Sequence, residues 1–379
     1  AYGSCRGPWT CDVEALPLDA AFQAAGPPRR LTREGFVLFG IAWTSDGRDL
    51  VYAASHSGAN APYLWRLAIP GGGRPERVDL AGSQGRHPAL ARAGRRLAFS
   101  RGLSDSDIWK IDVPGPPRPV LQSTKIEYFP DLSPDGTRIA FSSDRSSDGL
   151  ELFISESDGS NPVQLTDRLG REHGAPRWSP DGRWIAFGVQ TESGDFDILV
   201  VDAAGRAPRR LAATPHYELR AAWSRDGRFV YFSSDRTGRF EIWRAPVDGG
   251  EAKQVTDDGG VTSLESYDGR TLYYVKTHAG PQPLFARTLG APGERKVVEA
   301  ILGRDFAVDE TGVLYFARGA KPGTISLRHL EPDTGSTREV TTLDVLPTVG
   351  FSVSRDGRTI VFAAMKPAND DLYLIENFR

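Results

Sequence analysis

The chain has 379 residues, more than one ordinary hydrophobic core supports, so several domains or one repetitive architecture is expected. Its 41 glycines and 27 prolines predict many turns. The 46 basic and 49 acidic residues leave a net charge of -3, which provides no field for a polyanion and argues against direct nucleic-acid binding. No apolar stretch reaches the roughly 18 residues that a membrane-spanning helix needs, so no span is predicted.

The first distinctive residues along the chain are its two cysteines, Cys5 and Cys11. Two thiols alone do not complete a structural zinc site, and their spacing is not the C-x-x-C of redox enzymes. The cysteines therefore indicate no metal site, no metal ligand is assigned, and no cofactor is predicted. Two alternatives stay open for the pair: a small disulfide loop, which would indicate an oxidising compartment, or free thiols.

An internal repeat organises the rest of the chain. Its clearest copies read LSPDGTRIAF, WSPDGRWIAF and WSRDGRFVYF, and the turn residue before the glycine recurs at a mean interval of about 44 residues. The eight copies are 43–52, 90–99, 132–141, 178–187, 223–232, 265–274, a weaker one around 311–312, and 353–362.

Each copy predicts four strands and little helix. An Asp-Gly pair between two apolar runs indicates a tight hairpin, and a Ser-Asp-Arg loop then leads to a third strand. A second turn precedes a short fourth strand. Four antiparallel strands in about 44 residues are typical of one propeller blade, and the turn aspartates are interpreted as hairpin formers rather than metal ligands.

The repeat predicts an all-β propeller of eight four-stranded blades, or seven if the weak copy at 311–312 forms none. The last copy ends after a third strand at 371–375, whereas the N-terminus offers strands at 12–18 and 28–32. We therefore expect segment 28–32 to close the ring by pairing with 371–375. Residues 1–11 are predicted to be an extension and residues 12–379 one propeller domain.

These motifs, with the D-G-S-N-P-x-Q-L-T turn, resemble the TolB-like, WD-like propeller repeat. Segments 13–18, 27–32, 40–44 and 376–379 more specifically resemble the C-terminal region of CadC-like winged-helix transcriptional regulators of Acidobacteria. That resemblance implies a periplasmic or otherwise extracytoplasmic sensory propeller. The winged helix and membrane helix of such regulators are not in this sequence, so a regulator role would belong to a longer polypeptide.

Candidate ligand residues lie at the starts of the innermost strands, which line the channel of a propeller. Three polar residues stand eight positions before the turn residue, and three more stand six before it; residues an even number apart share one face of a strand. A metal site, a small-molecule or peptide site at the rim, and a plain solvated lining all stay open. The candidates are Glu127, His173, Glu218, His87, Arg220 and Asp305, with Tyr128, His216 and Tyr217 beside them.

The sequence thus predicts a non-enzymatic binding module, acting as an extracytoplasmic sensory or protein-interaction domain. Its partner would be a protein or small molecule at the propeller rim, bound by a monomer or by part of a larger assembly. No G-x-S-x-G motif for a serine hydrolase is present, and no catalytic residue is assigned. The alternatives are a metal-dependent lyase or lactonase that uses channel residues, and a structural subunit of an envelope complex.

Overall fold

The computed structural model describes residues 1–7, 10–33, 35–55, 62–70, 73–82, 84–93, 95–102, 106–146, 149–170, 173–278, 280–365 and 370–378. These residues form 34 strands and one three-residue 3-10 helix, Asp79–Ala81, which confirms the all-β prediction. None of their helices is long and apolar enough to cross a membrane. The chain divides into two compact units, unit 1 (Ala1–Ser104 with Ala368–Arg379) and unit 2 (Asp105–Pro367).

Unit 1 begins with a three-stranded sheet that is followed by the first two repeat copies. Its first nine strands are β1 (Tyr2–Gly7), β2 (Thr10–Ala15), β3 (Arg29–Arg30), β4 (Val37–Trp43), β5 (Asp49–Ser55), β6 (Tyr63–Ala68), β7 (Glu76–Arg77), β8 (Gly85–Leu90) and β9 (Leu97–Gly102). Strands β1–β3 form one sheet and β4–β7 another. The predicted boundary after residue 11 falls inside β2.

Unit 2 consists of six four-stranded antiparallel sheets, called blades 1 to 6 here. Blade 1 is β12 (Glu127–Leu132), β13 (Arg138–Ser143), β14 (Glu151–Glu156) and β15 (Val163–Gln164); blade 2 is β16 (His173–Trp178), β17 (Trp184–Gln190), β18 (Phe196–Asp202) and β19 (Arg209–Ala212); blade 3 is β20 (Glu218–Trp223), β21 (Phe229–Ser234), β22 (Glu241–Pro246) and β23 (Lys253–Gln254). Blade 4 is β24 (Thr262–Glu265), β25 (Thr271–Val275), β26 (Gln282–Thr288) and β27 (Arg295–Ile301); blade 5 is β28 (Phe306–Val308), β29 (Val313–Arg318), β30 (Ile325–Leu330) and β31 (Thr337–Leu343). Blade 6 combines β32 (Leu346–Val353) and β33 (Thr359–Met365) with β10 (Ser106–Asp112) and β11 (Arg118–Leu121).

The first strands of the six blades contact one another in cyclic order, β12 to β16, β20, β24, β28, β32 and back to β12. Apolar clusters fill the spaces between neighbouring blades. For example, Phe316 of blade 5 packs on Phe351 and Phe362 of blade 6, with ring centroids 4.7 and 5.7 Å apart. Each blade thus has both faces covered, which a lone four-stranded sheet does not.

The predicted closure of the ring is wrong. Strand β34 (Asp370–Ile375) pairs with β9 in unit 1, from Asp370 opposite Gly102 to Ile375 opposite Leu97. Segment 28–32 pairs with β2 instead, through Arg29 and Arg30. The strand that pairs with β33 is β10. In the order of the repeat, β10 would be the third strand of the second copy and β34 the third strand of the last copy, so the two copies have exchanged their third strands.

The prediction of eight blades in one ring is not confirmed. Eight sheets do carry the eight copies, but six lie in unit 2 and two in unit 1. The weak copy at 311–312 forms blade 5, where Asp309 accepts hydrogen bonds from the backbone of Thr311 and Gly312, both 2.7 Å. A side-chain cap thus replaces the missing Asp-Gly pair.

The turn aspartates form hairpins, as predicted. Asp135, for example, accepts hydrogen bonds from the hydroxyl of Ser133 (2.5 Å) and the backbone N–H of Thr137 (3.1 Å). Gly136 has φ +71°, a left-handed conformation that glycine adopts without a steric cost. In the other turns the aspartate likewise accepts a hydrogen bond from the backbone N–H two residues further along the chain. These aspartates are Asp46, Asp181, Asp226, Asp268 and Asp356.

We predict that residues 105–367 fold without unit 1, because β10 and β11 complete blade 6 within this segment. The fragment 124–367, which lacks them, is the matched comparison. This deletion removes the buried side chains of Ile108, Trp109 and Ile111. It therefore uncovers the apolar residues that they pack against, such as Val361 and Phe362, at about 1.5–3 kcal/mol for each large apolar side chain.

Near-ultraviolet circular dichroism during thermal unfolding distinguishes the two fragments. A sharp transition is expected for 105–367 and a much lower or absent one for 124–367. Cooperative unfolding of both at one temperature would contradict closure by β10.

Candidate functional site

The first strands of blades 1, 2, 3 and 6 each contain a bulge, at which the pairing register shifts by at least one residue. The residues at these bulges have positive φ: Phe129 (54°), Ala175 (53°), Arg220 (60°) and Gly350 (99°). A bulge re-aims the side chains on either side of it. The even spacing between Glu218 and Arg220 therefore does not place both on one face.

Glu127 and Glu218 do not line an open channel; both are fully buried in equivalent ion pairs. Arg145 donates to Glu127 at 2.8 Å and Arg236 donates to Glu218 at 2.9 Å, each within one blade. Burial raises the pKa of Glu127 to about 7, although the hydrogen bond from Ser123 and the Arg145 charge lower it. These glutamates anchor the Ser-Asp-Arg loops, so their role is structural.

His173, the third candidate of this set, is also fully buried. Its Nδ1 lies 2.6 Å from a carboxylate oxygen of Glu151 and 2.8 Å from the hydroxyl of Thr166, both in the blade 1 segment. Burial by itself raises the pKa of Glu151, but hydrogen bonds from His173 and Thr166 outweigh it and lower the pKa. His173 thus joins blade 2 to the preceding blade.

The other predicted residues are not brought into one site. The His216 ring lies 3.6 Å from Asp235 and is 42% exposed, and the Tyr128 ring contacts Phe129 at 5.9 Å. His87 lies in unit 1, exposed, with Nδ1 3.1 Å from the Ser100 hydroxyl. Cys5 and Cys11 form a disulfide within the β1–β2 hairpin.

Arg220 and Asp305 meet at the beginnings of the first strands, an end of unit 2 that we call the strand-start mouth. Arg220 donates from Nη1 to Asp305 at 3.0 Å, and its guanidinium lies 5.0 Å from the Phe129 ring centroid. The other oxygen of Asp305 accepts from the backbone N–H of Gly350 at 3.1 Å. Burial is the largest single influence and raises the pKa of Asp305, but the charges of Arg220 and Arg304, the hydrogen bond from Gly350 and the Arg177 charge together lower the pKa. These contacts join blades 1, 3, 5 and 6.

A cavity of about 230 Å³ opens at the other end of the first strands, the strand-end mouth. All six blades contribute to it. One lining residue from each blade in order is Asp131, Arg177, Arg225, Tyr267, Val308 and Arg355. Arg177 donates to Asp131 (2.9 Å), and the backbone N–H of Arg225 donates to Glu265 (2.7 Å). Acidic groups in the wall of the cavity thus join neighbouring blades.

Much of the rim of this cavity comes from one position of the repeat, the second residue of the Ser-x-Asp-Gly turn. Two copies have Pro134 and Pro180 there, whereas Arg225, Tyr267 and Arg355 occupy the same position in others. The Tyr267 ring stacks with both guanidiniums, since its centroid lies 4.8 Å from Cζ of Arg225 and 4.9 Å from Cζ of Arg355. All three side chains are presented by short hairpin turns.

The sequence analysis did not predict this cavity because it sought ligand residues only at the starts of the innermost strands. One signal in the sequence could have indicated it. Proline is favoured at the second position of a type I turn, yet three copies have a large side chain there. Within the described ranges, no group of three His, Cys, Asp or Glu side chains is placed to hold a metal ion. The strand-end mouth is therefore the best candidate site, and its chemistry is aromatic and cationic.

Comparison with known proteins supports part of the sequence interpretation. Residues 170–345 match the family model of the TolB beta propeller domain, PD40, so this part of the chain carries TolB-like propeller repeats. An uncharacterised protein of Agrobacterium fabrum is 30% identical over 223 residues, 57% of this chain and 57% of that protein. The chain thus spans little more than half the length of the curated relative that it matches.

Two solved structures match parts of this chain. A candidate TolB from Agrobacterium tumefaciens is 19% identical over 70% of this chain and 99% of its own, with a TM-score of 0.58. TolB from Acinetobacter baumannii is 16% identical over 84% of this chain and 80% of its own, with a TM-score of 0.49. At 19% identity the likeness to the first structure concerns the fold alone, and the resemblance to CadC-like regulators is not among these findings.

The raised pKa of Glu127 predicts that unit 2 loses stability as the pH rises from about 4.5 to about 7. Over this range the unfolded chain has already released the proton that the folded chain still holds. The stabilisation by protonated Glu127 is therefore complete below pH 4.5 and lost above pH 7. Glu127→Gln should flatten the dependence of the free energy of unfolding on pH in this range, measured by urea unfolding at pH 5, 6, 7 and 8.

Glu151→Gln is the control for this prediction, because the pKa of Glu151 is shifted in the opposite direction. Ionised Glu151 stabilises the folded chain above the usual pKa of a glutamate, and this stabilisation is lost as the pH falls through the lowered pKa of Glu151. An unchanged slope between pH 5 and 7 in Glu127→Gln would contradict the assignment.

Gly350→Ala should disrupt the strand-start mouth. A Cβ atom at this position would lie 2.2 Å from the Cα of Phe129, and φ is +99°. We expect a loss of more than about 3 kcal/mol in the free energy of unfolding, from strain and overpacking together. Gly290→Ala, with φ +81° and open space around its Cβ, should cost only about 1–2 kcal/mol from the backbone strain. Equal losses in the two variants would show that the close approach to Phe129 is unimportant.

Proposed function

We propose that the chain is a non-enzymatic binding module that recognises a segment of a partner protein at the strand-end mouth. The observation that carries this proposal is the Arg225–Tyr267–Arg355 stack on the rim of a cavity to which all six blades contribute. Arginine and tyrosine are the residue types that dominate the energetics of protein interfaces.

The hairpin turns do not need the side chains of Arg225, Tyr267 and Arg355, which suggests that these side chains have a role in binding. Each Ser-x-Asp-Gly turn closes with the same hydrogen bond, from Gly136 to Ser133 (2.8 Å) and from Gly357 to Ser354 (3.0 Å), whether the second residue is proline or arginine. Proline would be the better turn former at that place. The large side chains are therefore not required by the hairpins that carry them.

The size of the cavity favours a protein partner over a large free metabolite. At about 230 Å³ it is smaller than the roughly 300–1,000 Å³ of pockets that enclose drug-sized ligands. A space of this volume suits one or two inserted side chains, with the rest of the partner lying over the rim. This reading would make Tyr267 a central contact.

We further propose an extracytoplasmic, periplasmic setting. The disulfide between Cys5 and Cys11 supports it, since structural disulfides persist mainly in oxidising compartments. Such a module could act as the sensory domain of a longer CadC-like regulator or as a subunit of an envelope complex. No particular observation favours a metal-dependent lyase or lactonase: Nδ1 of His173 is engaged by Glu151 and Thr166, and the described residues bring no group of three ligating side chains together.

Selection of random displayed peptides on the purified chain tests this function. We expect selected peptides whose affinity falls at least about tenfold in Tyr267→Pro and in Arg355→Pro. Both substitutions install the residue that Pro134 and Pro180 already occupy in equivalent turns, so the hairpins should be retained. Arg225 is left unchanged because its backbone N–H donates to Glu265.

Ser45→Pro is the matched control, since Ser45 holds the same turn position in unit 1. It should bind the selected peptides like the unsubstituted chain. Peptides that bind all three variants equally, or the absence of any selected peptide, would refute the strand-end mouth as the binding surface.

A further inference from the structure

Strand β34 is an open edge of a sheet in unit 1. Among the described residues, the sheets that carry the other seven repeat copies have four strands each, whereas the sheet β8–β9–β34 has three, with β34 outermost. Leu372 and Leu374 of this strand are 80% and 56% exposed. An exposed edge with apolar side chains and unpaired backbone groups is a template for pairing with another strand.

β34 has the register of a third strand that in other sheets receives a fourth. Its Leu372 lies opposite Ser100, as Leu152 of blade 1 lies opposite Ser142. The aromatic pair that follows in each sheet stacks at the same centroid distance, 5.7 Å. Leu372 therefore corresponds to Leu152, and Asp371 corresponds to the acidic residue that precedes Leu152.

In blade 1 a threonine holds the fourth strand on the third. The backbone N–H of Leu152 donates to the Thr166 hydroxyl (2.9 Å), which donates to the carboxylate of Glu151 (2.7 Å). The carbonyl of Leu152 accepts from the backbone N–H of Leu165 (2.7 Å). Both backbone groups of Leu152 thus point to the fourth strand. Because antiparallel pairs alternate regularly, the backbone groups of Leu372 point outward from β34 in the same way.

The same arrangement recurs in two further sheets. In blade 3 Thr256 accepts from the backbone N–H of Ile242 (2.8 Å). In the N-terminal sheet of unit 1 Thr32 accepts from that of Val13 (2.8 Å). Each threonine also donates to the acidic residue before the backbone donor, at 2.7 and 3.3 Å. An acidic and an apolar residue in the third strand thus receive an apolar residue followed by threonine in the fourth.

Charge indicates the residue that precedes this apolar-threonine pair. Where the third-strand acid is an aspartate, an arginine of the fourth strand reaches it in two of three sheets. Arg30 donates to Asp12, and Arg210 lies 2.7 Å from Asp197. Both arginines stand directly before a leucine. Because residue 371 is also an aspartate, Arg-Leu-Thr is the fourth-strand sequence that complements β34.

We propose that β34 binds an extended segment of a partner protein, of the type Arg-Leu-Thr, as an added fourth strand. Hydrogen bonds with the backbone of Leu372 would supply affinity, and Asp371 would select the threonine hydroxyl and the arginine charge. This surface belongs to unit 1 and the strand-end mouth to unit 2, so either proposal stands without the other.

Fluorescence anisotropy of a labelled peptide, SNPVRLTD, titrated with the full chain tests the proposal. The peptide copies residues 160–167 with Gln164→Arg. Saturable binding is expected, weakened at least about fivefold in Asp371→Ala and in Leu372→Pro. Proline removes the outward N–H group and is tolerated on an edge strand. Glu376→Gln is the matched control, because it removes an exposed acid directly after β34, and it should bind like the unsubstituted chain.

A second peptide and a second surface make the test specific. SNPVRLVD lacks only the threonine hydroxyl and should bind at least about fivefold more weakly. Tyr267→Pro should bind SNPVRLTD unchanged, which separates β34 from the strand-end mouth. Circular dichroism verifies the fold of each variant.

Three results would overturn the proposal: no saturable binding, equal affinity for the two peptides, or unchanged affinity in either β34 variant. Sedimentation of the chain alone should show a monomer. A dimer that Leu372→Pro dissociates would assign the edge to a second copy of the chain and would also overturn the proposal.

Discussion

Closure of the six blades of unit 2 is the constraint on which the rest of the molecule depends. Each blade exposes two apolar faces and becomes stable only between two neighbours, so a ring with one incomplete blade would leave both an open edge and uncovered apolar surface. The structure meets this constraint by building blade 6 from both ends of the unit, β10–β11 and β32–β33. Seven residue pairs, from Ser106–Met365 to Asp112–Thr359, join the two halves.

The exchange of β10 and β34 explains why the sequence predicted eight similar sheets yet the wrong closure. Both strands follow a second strand after a short connection, and both read as Asp followed by apolar and aromatic residues. The local sequence pattern identifies each segment as a third strand but does not determine the second strand with which it pairs. That pairing depends on which apolar side chains are buried against residues far away in the sequence. In the structure Ile108 and Ile111 of β10 are buried between blades, whereas Leu372 of β34 is 80% exposed.

The strands, turns and turn aspartates were predictable because each depends on residues within one copy. The site was less predictable, because the assumption of a regular two-residue alternation fails at the bulges. Glu218 turns into its own blade to meet Arg236, while Arg220, two residues later with φ +60°, reaches Asp305 in blade 5. Nothing in a single copy marks which residue adopts the left-handed conformation, since Phe, Ala, Arg and Gly all do so in different blades.

The two mouths of unit 2 differ in what their arginines contact. At the strand-end mouth Arg177 pairs with Asp131 and Arg355 pairs with Glu310, so the cations there present flat, partly neutralised surfaces to the Tyr267 ring. At the strand-start mouth Arg220 pairs with Asp305, whose second oxygen accepts from the backbone of Gly350, so this pair is part of the contacts between blades. Because the repeat contributes turns to one mouth and bulges to the other, we expect substitutions at turn positions to change the surface offered to a partner and substitutions at bulge positions to change stability.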